Sequence, residues 1–329
     1  MAERLATVGT GMIADIVMPH LEEWGFSVDA VCGTPRSEEK VRALAEEHHA
    51  TPYTDFARML AETAAPTVYV AVPNHLHYDF CKQALEAGKH VLLEKPFASN
   101  AREVEELMEL ARSRDLLVYE AITTIHQPNM HLIQDELLQR IGDVRIVSVN
   151  YSQYSHRFDA FREGTVLPVF DPAKSGGALM DIGFYGATWI CDLFGQPKGV
   201  AYAANVERGI DLSGVLTLDY GGFKAVSVGA KDCAAPCHCI VQGTRGYIAQ
   251  DTPPGACGPV TLHLNDGTEE TFDRNPENRW EPEFRFFAQA LATGDRATCY
   301  ALLEKSLVVA RVMTEARLSA GVRFPADDR

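Results

Sequence analysis

The stretch HVLLEKP, residues 90 to 96, closes an apolar strand pattern on an acid, an amine and a proline. Glu94, Lys95 and Pro96 are the materials of a positioned site. Lysine supplies a charge and hydrogen-bond donors, and proline fixes its own φ while biasing Lys95 towards extended backbone. A second group is Gly9-Thr10-Gly11-Met12-Ile13-Ala14, a G-x-G-x-x-A run directly after the strand pattern LATV. Gly9 permits a tight turn, Gly11 lets a pyrophosphate approach the backbone, and Ala14 lets a helix pack closely on the strand. The backbone N–H groups at the helix start, around Met12 and Ile13, then face the phosphates. A third group is Asp181 and Tyr185, four residues apart and on one face if the stretch is helical.

Such groups work only if regular elements hold them. SVDAVCG (27–33), TVYVAVP (67–73) and LLVYEA (116–121) have strand character, and residues 38–49, 76–88 and 101–115 have helical spacing. Strands alternating with helices predict right-handed crossovers and a parallel sheet. Ligands of such sheets bind beyond the carboxyl ends of the strands, where Glu94-Lys95-Pro96 stands. Pro19 falls inside the expected first helix and shortens or kinks it. The second strand leads into Cys32-Gly33-Thr34-Pro35-Arg36-Ser37, with no acid to grip a ribose. Arg36 and Ser37 suit a 2′-phosphate, which favours NADP. NAD stays open because Asp29 falls within the spacing window for a ribose acid, although it is placed in mid-strand.

Composition narrows the function classes. A net charge of -15 over 329 residues repels nucleic acid and anionic membranes, so neither is expected as a partner. No apolar run approaches the roughly 20 residues that span a bilayer. MAERLATVGTG shows no signal-peptide pattern, so a cytoplasmic location is expected. The densest cysteine cluster, CAAPCHC with Cys233, Cys237, His238 and Cys239, lacks a second ligand pair at finger-like spacing, so no metal is assigned there.

The stretch PNHLHYDFCKQALEAGKHVLLEKPFA (73–98) resembles the Gfo/Idh/MocA oxidoreductases, whose pattern there is P-N-x-x-H followed by A-G-K-H-V-x-x-E-K-P. The likeness continues through IGDVRIV (141–147), SGGALMDIGFYGATWICDLFG (175–195) and QGTRGYI (242–248). It implies an α/β fold: a Rossmann domain over 1–122, then a substrate-binding and oligomerisation domain over 123–329 with an open, mostly antiparallel sheet. Alternating runs such as GVLTLDY, FKAVSVGAK and VTLHLND agree with that sheet. Helices are expected over 281–294 and 299–321. Where relatives often carry His, this chain has Tyr185, as in the branch that resembles dimeric dihydrodiol dehydrogenase and glucose-fructose oxidoreductase. ITTIHQPNM (122–130) replaces an aromatic-Arg pair common in relatives.

The resemblance implies roles. Pro73, Asn74, His77, Glu94 and Lys95 border the cofactor, with His77 beside its nicotinamide half. Tyr185 is the acid/base for an alcohol or ketone, Lys95 its electrostatic partner, and Asp181 binds a substrate hydroxyl or orients Lys95. Gly176 and Gly177 allow close backbone approach before the Asp181 helix. Tyr154, His156, Arg157 and Lys174 line a polyol pocket or lie on an exposed loop. The expected activity is hydride transfer between a nicotinamide cofactor and a secondary alcohol of a sugar, polyol or cyclic diol, in a homodimer or homotetramer. The alternatives are a catalytically silent NAD(P)-binding sensor on the same fold, and an enzyme that retains its cofactor between two substrates.

Overall fold

The structure, a computed structural model, describes residues 2–329. Its first part alternates strand and helix: β1 (Glu3–Val8), α1 (Met12–Val17), β2 (Phe26–Cys32), α2 (Glu38–Glu47), β3 (Thr51–Tyr53), α3 (Phe56–Glu62), β4 (Thr67–Val70), α4 (His77–Glu86), β5 (His90–Glu94), α5 (Ala101–Ser113) and β6 (Val118–Ala121). The six strands form one parallel sheet in the order β3-β2-β1-β4-β5-β6. The order reverses at β1 and β4, the switch point where such sheets bind ligands. Every residue of β4 is buried, as expected for a strand covered on both faces. α1 is only six residues long and passes into a 3₁₀ turn that contains Pro19, which cannot donate to a continuing helix.

The chain continues through α6 (Pro128–Leu132), β7 (Val144–Ser152), α7 (His156–Arg162), a π-helical turn over Leu179–Gly183, α8 (Phe184–Phe194) and β8 (Gly199–Glu207). Next come β9 (Ile210–Asp219), β10 (Lys224–Ala230), β11 (His238–Gly243), β12 (Gly246–Gln250), β13 (Val260–Leu264) and β14 (Glu269–Phe272). These eight strands form a second sheet in the order β14-β13-β12-β11-β7-β10-β9-β8. All its pairings are antiparallel except β7 with β10. One face meets α8 through buried Val147, Val149, Ala225 and Val241, with Trp189 and Ile190 on the helix. On the other face, register places Val215, Val228 and Asn150 in one row, and Ile146, Gln242 and Tyr247 in another. Ile146, Val215 and Tyr247 there are 47%, 40% and 41% exposed, so this face carries exposed apolar side chains among polar ones.

Two further helices follow, α9 (Glu281–Thr293) and α10 (Arg296–Ser319). The chain forms two compact units, and neither is continuous. Trp280–Leu307 groups with the residues up to Ala121, whereas the sequence boundary placed everything after 122 in one domain. The reason is aromatic packing on α9: Phe284 lies 5.4 Å from Trp24 and 5.5 Å from Tyr69, and Phe287 lies 5.4 Å from Tyr119. Ile122–Arg279 and Val308–Arg329 form the other unit.

Candidate active site

In the first unit the glycine turn has the geometry a dinucleotide needs. Gly9 has φ +114°, and a Cβ built there would run into the Ala71 carbonyl. Only glycine fits that place. A Cβ on Gly11 would meet nothing within 4 Å, so the backbone is open on the side where phosphate is expected. Met12 is 64% exposed beside it, and Ile13 is half-buried. This cradle fits a bound dinucleotide.

At the end of β2, Asp29 lies in mid-strand and is ion-paired with Arg4. Its carboxylate is therefore engaged away from the strand end. Ser37 closes a local capping box with Thr34: its hydroxyl accepts from the Thr34 N–H at 3.0 Å and donates to the Thr34 carbonyl at 3.1 Å. Arg36 is exposed on the same turn.

The Lys95-Pro96 peptide is cis. Two buried groups hold the turn around it. His77, 1% exposed, sets Nδ1 2.7 Å from the Pro96 carbonyl and Nε2 2.8 Å from the Val72 carbonyl. Burial pushes its imidazole down to about 4, so at neutral pH only one nitrogen carries a proton and one carbonyl is bonded at a time. On the other side, Glu120 of β6 accepts the Phe97 N–H at 2.7 Å. Register places Glu120 beside Leu93, one residue before Glu94. Burial pushes the Glu120 carboxyl up to about 7, against hydrogen bonds from Ser306 and Phe97. Burial also raises Glu94, which accepts from the Tyr69 hydroxyl at 2.6 Å and is opposed by that bond and by the Lys95 charge. Lys95 is half-buried at the head of this cluster. Pro73 and Asn74 begin the 3₁₀ turn that leads into His77.

In the second unit the site is built on the Leu179–Gly183 π-turn. The buried Asp211 carboxylate anchors its start, accepting from the Leu179 N–H at 2.7 Å and the Tyr202 hydroxyl at 2.9 Å. Gly177, at φ +107°, sits against the same carboxylate where any Cβ would collide. Asp181 lies in the π-turn and Tyr185 in the first turn of α8, both half-buried. A π-turn inserted in a helix is often found at functional sites. Asp181 is ion-paired with Lys231, which follows β10. The Tyr185 ring lies 6.1 Å from the Tyr151 ring, and a Cβ on Gly255 would fall 2.8 Å from its Cδ1. Thr123 and Thr124 donate to the carbonyls of Gly255 and Pro254 at 3.1 and 3.3 Å. The unusual ITTIHQ stretch thus fastens the loop that touches Tyr185.

Tyr154, His156 and Arg157 are exposed, and the Tyr154 hydroxyl is bonded to Asp159 at 2.6 Å. Lys174 is half-buried before Ser175 and Gly176. Sequence reasoning missed Lys231, Glu120 and Gly255. Lys231 carried a signal of the same kind as Lys95, a lysine just past a strand end. Among the described residues, no group of three His, Cys, Asp or Glu side chains is arranged to hold a metal ion, and no helix is long and apolar enough to cross a membrane.

Comparison with known proteins matches both units. Residues 4–122 match the oxidoreductase family with an NAD-binding Rossmann fold, and residues 136–249 match the GFO/IDH/MocA C-terminal domain. The chain is 36% identical to scyllo-inositol 2-dehydrogenase (NADP(+)) of Bacillus subtilis, over 98% of this chain and 99% of that one. It is 30% identical to trans-1,2-dihydrobenzene-1,2-diol dehydrogenase of Oryctolagus cuniculus, covering 92% and 97%. Among solved structures it is similar to a 3-ketoreductase from Actinomadura kijaniata in complex with TDP-benzene and NADP, with a TM-score of 0.81, 25% identity, and 98% and 99% of the two chains covered.

Proposed function

This chain belongs to the Gfo/Idh/MocA oxidoreductase family, and from that premise we propose that it interconverts a secondary alcohol and a ketone on a cyclic polyol or sugar, using NADP. The observation that carries this reading is the end-to-end match to an NADP-dependent inositol dehydrogenase, with Lys95 and Tyr185 both present. Bound NADP supplies or accepts the hydride at its nicotinamide ring. Arg36 pairs with the 2′-phosphate, and the Gly9–Ile13 turn holds the pyrophosphate.

In the oxidation direction Tyr185 accepts the hydroxyl proton as hydride leaves the carbon; in reduction it returns that proton to the oxygen. Lys95 places positive charge and a hydrogen bond where oxygen becomes negative. Asp181 accepts a hydrogen bond from a neighbouring substrate hydroxyl and fixes which carbon reacts. Tyr185 in place of histidine puts the chain in the branch that resembles dimeric dihydrodiol dehydrogenase. The open face of the second sheet pairs with another copy of the chain.

The test is a rate panel of scyllo-inositol, D-xylose and trans-1,2-dihydrobenzene-1,2-diol with NADP⁺ and NAD⁺. Turnover of at least one substrate with preference for NADP⁺ is expected. Lys95→Ala and Tyr185→Phe should each lower kcat by at least about a hundredfold, the size of a lost acid-base or electrostatic contribution. Near-normal rates in both variants would overturn the assignment.

A further inference from the structure

The proposed reaction leaves one buried charge near its residues without a role. Lys231 is 7% exposed, and its ammonium is paired with Asp181. A lysine is rarely buried unless paired, because taking an ammonium out of water is costly.

The surrounding chain builds this pair deliberately. Lys231 follows the last residue of β10, and its backbone is fixed on two sides: its N–H donates to the Leu212 carbonyl, and its carbonyl accepts from the Ser155 N–H, both at 2.9 Å. β10 lies unusually close to the helical stretch above it. A Cβ on Gly229 would come 3.3 Å from the Gly183 Cα, and one on Gly186 would run into Ser227. Glycines on both elements therefore allow the approach. Lys231 is two residues beyond Gly229, and Asp181 two residues before Gly183, so close packing at the glycines brings the two charges together. Asp181 itself sits in the π-turn, four residues before Tyr185.

We propose that Lys231 is a positioning residue for the substrate: it ties down the Asp181 carboxylate, so that Asp181 presents a fixed acceptor to a substrate hydroxyl beside the carbon served by Tyr185. This rests on the reading of Asp181 as the hydroxyl acceptor. An untethered carboxylate could rotate or turn towards solvent. The tether removes that freedom before substrate arrives, which is the general benefit of preorganisation. Lys231 acts through Asp181 and is not itself a reacting group.

The experiment is steady-state kinetics of the NADP-loaded enzyme with scyllo-inositol, or with the best substrate of the panel, on Lys231→Met, Lys231→Arg, Asp181→Asn and the Lys231→Met/Asp181→Asn double variant. Loss of a charged hydrogen bond corresponds to about tenfold or more in affinity. Lys231→Met and Asp181→Asn should each raise KM for the polyol by about tenfold or more, with NADP⁺ binding unchanged. Lys231→Arg, which keeps the charge and donors, should stay within about threefold of wild type. The double variant should be no worse than Asp181→Asn alone, because the lysine acts only through the acid. Should Lys231→Met fail to fold, the double variant, which buries no unpaired charge, and Lys231→Arg still decide the matter. Wild-type KM in Lys231→Met, an Arg variant as damaged as the Met one, or additive losses in the double variant would each overturn the proposal. If Asp181→Asn itself behaves as wild type, the hydroxyl-acceptor reading falls and the tether with it. If only Lys231→Met does, the reading of Asp181 stands and the tether alone falls.

Discussion

Glu120 offers a direct thermodynamic test of the cluster beneath Lys95. Its carboxyl is 7% exposed by residue, accepts the Phe97 N–H, and is pushed up to about 7 chiefly by burial. The ordinary value is 4.5, so the fold prefers the protonated form. The sign follows: its contribution to stability is fully present below about pH 4.5 and is lost as pH rises through 7. At about 1.4 kcal/mol per pH unit between the two values, the loss approaches roughly 3 kcal/mol at pH 8. Glutamine keeps an acceptor for Phe97 and never ionises. Glu120→Gln should therefore equal wild type or be slightly weaker near pH 5, and exceed it by about 1–3 kcal/mol at pH 8. Glu94 reinforces the trend, since its charge raises Glu120 and the substitution removes the mutual repulsion. Urea denaturation from pH 5 to 8, followed by tryptophan fluorescence, reads the difference, because buried Trp24 against Phe284 reports on this unit. A wild-type-to-variant difference that stays constant across that range would refute the reasoning.

Gly255→Ala should displace the Tyr185 ring, since the added carbon would sit 2.8–2.9 Å from two ring carbons. Turnover should fall by about tenfold or more while NADP⁺ affinity holds, in line with the sensitivity of catalysis to small misplacements; rate assays beside cofactor titration check this. On the proposed pairing of two copies through the open sheet face, Val215→Glu, which places charge there, should give a smaller species in light scattering than the wild type without changing the far-ultraviolet circular dichroism.

Much of the first unit was legible because its signals are local. Strand, glycine turn and helix occur within a dozen residues, and the 73–98 stretch holds a strand end, a helix and Lys95 in one continuous run. β3 was missed: Thr51-Pro52-Tyr53 is three residues long, includes a proline, and is a strand only because it lies along β2. α9 was read as a helix, but its grouping with the first unit depends on rings at Trp24, Tyr69 and Tyr119, far away in sequence. Asp181 and Tyr185 stood out through the family resemblance of the 175–195 stretch, with their spacing as support, yet the π-turn between Leu179 and Gly183 leaves no mark in hydrophobic periodicity. Lys231 and Glu120 were invisible as site residues for a common reason. Each reaches its partner across sheet register or helix-on-sheet packing, and no window of sequence contains both members.

The second unit therefore locates its polar groups through side chains that are missing. Gly177 makes room for Asp211, which anchors the π-turn; Gly186 and Gly229 let β10 approach, which brings Lys231 to Asp181; Gly255 lets a loop lie on the Tyr185 ring. None of these glycines bears a functional group, but at each of the four a built Cβ would meet a neighbouring atom at 3.3 Å or less. Close-packed interiors transmit such displacements instead of absorbing them. A methyl group at any of these positions would act on the reaction by moving Asp181 or Tyr185, not by removing either. Its signature would be lost turnover or weakened polyol binding in a protein whose reactive groups and nucleotide turn are all intact. That signature separates a positional defect in this unit from a chemical one in Lys95 or Tyr185 themselves.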